Sequence, residues 1–214
     1  MLFLFLNAFK QKIIMEKLRI GFLASHNGSN MQAIIDAIKK GELDAIPCVV
    51  ISNNSNAFAL ERARLEGIPA YHISSKHFET EEELDNAILE TLLKHNVNIV
   101  CLAGYMKKVG PKVLNHFKNR VLNIHPALLP KFGGKGMYGK FVHEAVLNAG
   151  ETKSGCTVHL VDEIYDHGRI LGQKVVPVYP DDTVETLSAR VLEQEHKLYP
   201  EILQKIAKGE IKLD

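Results

Sequence analysis

The sequence has little cysteine, no excess of charge and no long apolar run, and each shortage closes off a class of function. Its three cysteines, Cys48, Cys101 and Cys156, are odd in number, far apart and never in a C-x-x-C pair. That excludes a disulfide framework and a thiolate zinc site, and a reducing cytoplasm fits best. With 26 Lys+Arg against 25 Asp+Glu the net charge is +1, too weak a field to grip a polyanion. No nucleic-acid partner is therefore expected, although a local anion site remains open. No 18-residue apolar stretch occurs, so no membrane span or membrane partner is expected. The apolar start, Met1 to Phe9, has no basic residue before it and meets Lys10 and Lys12 at once. It reads as a tail, and residues 1–17 are expected to add nothing to the fold. Also missing are a Gly-Lys-[Ser/Thr] phosphate loop, a Gly-x-Ser-x-Gly elbow and a His-Glu-x-x-His helix, so neither a Walker loop, nor a covalent serine, nor a metal is expected.

What is present is a full core, with 46% hydrophobic residues in 214. A chain of that length buries roughly 70% of its extended surface, and residues 18–214 are expected to form one domain. Short β-branched runs alternate with helical patterns. Leu18–Ala24 reads as a strand and 31–38 as a helix with Ile34, Ile35 and Ile38 on one face. Strands follow at Ile46–Ile51, Ala70–Ile73, Asn98–Leu102 and Arg120–Ile124. Between them come helices at Ala57–Glu66, at Glu81–His95 behind a Thr80/Glu83 capping box, and from about Pro111. Parallel strands need such crossovers, so the fold class is α/β, an open, mostly parallel twisted sheet of Rossmann-like type with helices on both faces. After residue 150 two extended runs, Ser154–Val161 and Ile170–Tyr179, point to late strands that are mixed or antiparallel. A long helix from Val184, capped by Thr183, closes the chain, and Pro200 is expected to kink or break it.

Three segments carry chemistry. Ser25-His-Asn-Gly-Ser-Asn30 lies between the first strand and helix. Glycine lets backbone approach a ligand there, and free N–H groups at a helix start suit a phosphate; the same residues also serve simply as cap and turn. In Leu122-Asn-Ile-His-Pro126, strand alternation puts Asn123 and His125 on one side at the end of a parallel strand, where an amide and an imidazole polarise a carbonyl. Read alone, the pair also fits an Asn bonded to backbone and a bystander His. The turn Asp162–Gly168 offers Asp162, Glu163 and Asp166 as general bases, in a place where turns favour Asp anyway.

Taken with Leu102-Ala-Gly-Tyr-Met106 and Gln194-Glu-His196, these segments resemble the phosphoribosylglycinamide formyltransferase family of purine synthesis, in order from about Leu18 to the C-terminus. The resemblance implies transfer of the formyl group of 10-formyltetrahydrofolate, a co-substrate, to the amine of 5-phosphoribosylglycinamide. On the matching positions it implies that Asn123 and His125 stabilise the oxyanion, that Asp166 holds His125 and a water, and that His159 supports them. Asn27, Gly28, Ser29 and Asn30 would cradle the phosphate, and Glu195 would hold the ribose or glycinamide. The folate would lie against Tyr105, Met106, Val109, Leu122, Asp162 and Ile164, with Lys107 and Lys108 near its anionic tail. The glycine-dense loop Gly133–Gly139 would be a flap over the site. Leu192, the acidic Glu81–Glu83 stretch and the long basic 133–139 loop depart from the family's pattern. Two small-molecule partners and a monomer or homodimer follow. Rivals are a methionyl-tRNA formyltransferase, which normally adds a tRNA-binding domain, a formyltetrahydrofolate hydrolase, which usually adds an N-terminal one, and a non-enzymatic nucleotide- or folate-binding module.

Overall fold

The computed structural model describes residues 16–213. The expected tail therefore lies outside the described residues, apart from Glu16 and Lys17. Seven strands and six helices follow one another: β1 Leu18–Ala24, α1 Ser29–Lys39, β2 Ala45–Ser52, α2 Phe58–Leu65, β3 Ala70–His72, α3 Glu81–Lys94, β4 Ile99–Leu102, α4 Pro111–His116, β5 Val121–His125, α5 Lys140–Asn148, β6 Lys153–Leu160, β7 Ile170–Pro177 and α6 Val184–Ala207. The sheet order is β3-β2-β1-β4-β5-β6-β7. β1 to β5 pair in parallel, and β6 and β7 join antiparallel. The order reverses between β1 and β4, which puts the crevice for a ligand at the carboxyl ends of β1, β4 and β5.

Alternation along the strands separates two cores. Even-numbered Ile20 and Phe22 of β1, Leu122 and Ile124 of β5 and Cys156 and Val158 of β6 join Met31 and Ile34 of α1 and Leu198, Tyr199 and Ile202 of α6. On the other face Leu23, Val100 and Val121 meet Ile88 and Leu92 of α3 and Val113 of α4. Local signals fix the helix starts. Thr80 and Glu83 form the expected reciprocal cap of α3, and Thr183 caps α6.

Two expectations need correction. The sequence reading ran the flap straight into the late strands, whereas Lys140–Asn148 is a helix, α5, with Val142 and Val146 buried one turn apart. Pro200 does not break α6, which runs on to Ala207. The penalty of about 3 kcal/mol for an interior proline is outweighed by burial of Leu198, Tyr199, Ile202, Leu203 and Ile206 around it, each side chain contributing about 1.5–3 kcal/mol. Tyr199 also donates its hydroxyl to the carbonyls of Leu122 (2.9 Å) and Leu102 (3.3 Å), pinning α6 beneath the ends of β4 and β5. Among the described residues no helix is long and apolar enough to cross a membrane.

Candidate active site

A cavity of about 900 Å³ opens over the carboxyl ends of β4 and β5. Its floor is polar because the same alternation that buries Leu122 and Ile124 sends Asn123 and His125 to the opposite side. β6 pairs antiparallel in a register that sets His159 directly opposite Asn123. Asn123 Nδ2 lies 3.1 Å from His159 Nε2, and His159 Nδ1 donates to the Leu160 carbonyl at 2.8 Å. His159 thus takes one Asn123 N–H and leaves the second for the cavity. His125 donates from Nε2 to the Phe132 carbonyl at 2.8 Å and turns Nδ1 toward Asp166 Oδ2, 3.5 Å away. Asp166 Oδ1 is 3.6 Å from His159 Nε2. Each of these approaches becomes an ion pair only when its imidazole takes a second proton.

Asp166 reaches this position from the loop between β6 and β7. It sits in the left-handed region at φ 54°, which Asp tolerates better than most residues, and its Oδ2 accepts the Gly134 N–H at 2.9 Å. Gly168 closes the loop where a Cβ would stand 1.9 Å from the Leu160 carbonyl oxygen, so no side chain fits. Burial alone would raise the Asp166 pKa; His159, His125 and the Gly134 N–H outweigh it and hold the carboxylate below its usual range. His125 is lowered, chiefly by burial and further by His159, against the opposing pull of Asp166 and the Phe132 carbonyl.

The loop after β1 forms another part of the site. Gly28 caps α1 in the left-handed region at φ 69° with no side-chain hydrogen bond, so the first N–H groups of α1 are not capped by a side chain. A Cβ on Gly28 would come within 2.7 Å of that of Ala59. Asn27 is held by Arg62, which donates to its carbonyl (2.9 Å) and to its Oδ1 (3.0 Å). The Asn30 side chain turns inward to donate to Glu195 Oε2 at 2.6 Å. Burial pushes the Glu195 carboxyl up to about 6, against the lowering effect of Asn30.

Of the predicted site residues, Asn30, Tyr105, Met106, Lys107, Lys108, Val109, Asn123, His125, His159, Asp162, Ile164, Asp166 and Glu195 line the cavity. Asn27, Gly28 and Ser29 sit beside it at the start of α1. Leu122 does not line it: it is on the even side of β5 and, unlike Ile124 at the strand's carboxyl end, deep enough along the strand for its side chain to be wholly buried in the core shared with α1 and α6. Ser25 stands in the first segment singled out in the sequence, but no role was assigned to it there. Its N–H donates to the Gly104 carbonyl (3.0 Å), and its hydroxyl donates to Asn53 Oδ1 (2.6 Å) and accepts the Met106 N–H (2.7 Å), tying the β1 loop to the wall after β4. Sequence reasoning missed His143 of α5, buried in the cavity wall. Among the described residues no cluster of three His, Cys, Asp or Glu side chains is placed to hold a metal.

Known proteins share this sequence and fold. The chain is 39% identical over 195 residues to phosphoribosylglycinamide formyltransferase of Haemophilus influenzae, covering 91% of this chain and 90% of that one. It is 43% identical over 200 residues to the trifunctional purine biosynthetic protein adenosine-3 of Chironomus tentans, covering 92% of this chain but spanning only 14% of that relative's length. The solved glycinamide ribonucleotide transformylase 1 of Symbiobacterium toebii superposes with a TM-score of 0.87 at 41% identity, covering 92% of this chain and 91% of that one. Residues 18–203 match the formyl transferase family, and the chain belongs to it.

Proposed function

We propose that the protein transfers the formyl group of 10-formyltetrahydrofolate to the amine of 5-phosphoribosylglycinamide, in purine biosynthesis. It acts as one domain over residues 18–214, in the cytoplasm, as a monomer or homodimer, without a nucleic-acid or membrane partner. The carrying observation is the wiring of His125. Its Nε2–H is already donated to Phe132 and its Nδ1 faces a carboxylate, so taking a proton costs it no existing hydrogen bond. His159 is wired the opposite way, since a proton on Nε2 would displace the Asn123 N–H. The site therefore gathers charge on His125, beside the spare N–H of Asn123, where an oxyanion on the formyl oxygen needs it. Asp166 balances that charge, and a water it holds carries the proton lost by the attacking amine to the folate nitrogen as its bond to the formyl carbon breaks. The uncapped start of α1 supports a phosphate on the acceptor. Tyr105, Met106, Val109, Asp162 and Ile164 form the slot for the planar folate, with Lys107 and Lys108 toward its carboxylates.

The test follows absorbance during deformylation of a 10-formyl folate analogue, with and without phosphoribosylglycinamide. Release that requires the glycinamide substrate supports the transfer. Equal release without it makes water the acceptor and overturns the proposal.

A further inference from the structure

The chain between β5 and the flap has no ladder or helix to hold it. Among the described residues no backbone-to-backbone hydrogen bond ties any residue from Pro126 to Gly133. Phe132 nevertheless stands in the left-handed region at φ 55°, a conformation that a bulky residue keeps only where its surroundings impose it. Two side chains of the antiparallel strands supply the hold. Thr157 of β6, wholly buried and paired in register with His125, donates its hydroxyl to the Ala127 carbonyl (2.6 Å) and accepts the Leu129 N–H (3.1 Å). Gln173, its neighbour on β7, donates from Nε2 to the Leu129 carbonyl (3.0 Å) and to the Thr157 hydroxyl (2.9 Å). The hydroxyl and the amide nitrogen are thereby fully used, and Leu129 is gripped by both of its backbone polar groups.

That grip reaches the chemistry through packing. A Cβ on Gly133 would stand 2.5 Å from Leu129 Cδ2 and 3.1 Å from Asp166 Cβ, so Gly133 is wedged between them. On either side of it, the Phe132 carbonyl takes the His125 Nε2–H and the Gly134 N–H holds Asp166 Oδ2. We propose that Thr157 and Gln173 are positioning residues for the reaction: they index Leu129, and through the segment from Leu129 to Gly134 they fix the His125 ring and the Asp166 carboxylate in their 3.5 Å approach. Neither lines the cavity, so neither touches a substrate bound there. The assignment rests on the reaction proposed above.

The experiment compares Thr157→Val, which keeps the shape and deletes the hydroxyl, with Thr157→Ser, which keeps the hydroxyl. The Val variant should lose about tenfold to hundredfold in kcat, with the KM for each substrate changed by less than about threefold. The Ser variant should stay within about threefold of wild type in kcat. Because Asp166 and the Phe132 carbonyl are the influences that raise the His125 pKa against burial, a proton NMR titration should find His125 lower in the Val variant and unmoved in the Ser variant. A Val variant within about twofold of wild type, equal losses in the two variants, or an unmoved His125 titration in the Val variant overturns the proposal. If the Val variant does not fold, Gln173→Leu on the edge strand decides: a fall in kcat of about threefold to tenfold with a lowered His125 titration supports the role, and wild-type values overturn it. Wild type that releases folate without the acceptor removes the reaction itself, whereas an acceptor-dependent wild type with unaffected variants removes only the roles of Thr157 and Gln173.

Discussion

Replacing Asp166 with Asn deletes one charge and leaves the rest of the site in place. Asn adopts the left-handed backbone at φ 54° as readily as Asp, and its Oδ1 still accepts the Gly134 N–H. What is lost is the attraction between a protonated His125 and a carboxylate 3.5 Å away. At that separation it amounts to about 1 kcal/mol at the dielectric constant of water and about 5 kcal/mol at an effective value near 20. The two side chains are 4% and 11% exposed, so the upper part of the range applies. A loss of about 3–5 kcal/mol in the transition state is a fall in kcat of about two to four orders of magnitude. Because the carboxylate acts on charge that develops during reaction, the affinity for phosphoribosylglycinamide should barely change. The assay is single-turnover formyl transfer beside calorimetric titration of the acceptor. A proton NMR titration of His125 should show its pKa lower still in the variant, since an influence that raises it is gone. Normal kcat, or a loss confined to acceptor affinity, would refute the argument.

Other perturbations test the scaffold. Gly168→Ala puts a methyl group 1.9 Å from the Leu160 carbonyl oxygen, so the loop cannot close on β6; activity should be lost by at least about a hundredfold, and unaltered turnover would contradict the geometry. Thr80→Ala removes the capping box of α3 and should cost about 1 kcal/mol in urea denaturation with no effect on turnover. Glu195 has its folded pKa raised to about 6 from 4.5, so its contribution to stability is fully present below pH 4.5 and is lost as pH rises toward 6, a change of about 2 kcal/mol. His125, His143 and His196 are lowered and slope the opposite way below about 6.5. Subtracting the Glu195→Gln stability curve from that of wild type isolates the Glu195 step, and a flat difference would place that carboxyl in a wetter site than the structure shows.

The parallel half of the sheet was readable because each βα unit announces itself by its own period and caps, as in the Thr80/Glu83 box and the Ile34, Ile35 and Ile38 face. Alternation along β5 likewise puts Asn123 and His125 on one face from the sequence alone. The late helix α5 was hidden by its neighbours. Gly133, Gly134, Gly136 and Gly139 read as loop up to its first residue, although Lys140 and Glu144 are spaced for the helical ion pair they form and Gly150 marks the end. Local pattern could not choose among Asp162, Glu163 and Asp166, since all three suit a turn, and only the family resemblance singled out Asp166. What separates Asp166 is the fold-back of its loop onto Gly134, a contact spanning 32 residues that no local pattern encodes. His143 left no signal either, because a buried imidazole and an exposed one look alike in sequence.

The position of the site also follows from where the second core stops. On that face β5 contributes Val121 to the apolar cluster, and no residue of β6 joins it. Beyond Val121 the same face of the two strands carries Asn123, His125, Thr157 and His159, which an apolar helix would leave buried and unpaired. The segments that meet these side chains are irregular: the chain after β5 supplies the Phe132 carbonyl to His125 and the Ala127 carbonyl to Thr157, and the loop after β6 supplies Asp166. Loops can do this because their carbonyls and N–H groups are not consumed by a ladder or a helix. His125 and His159 consequently end up 3% and 2% exposed with every ring nitrogen facing a polar group. The antiparallel addition of β6 is what makes this possible, since its hairpin with β7 lets the connecting loop fold back over the strand it has just left.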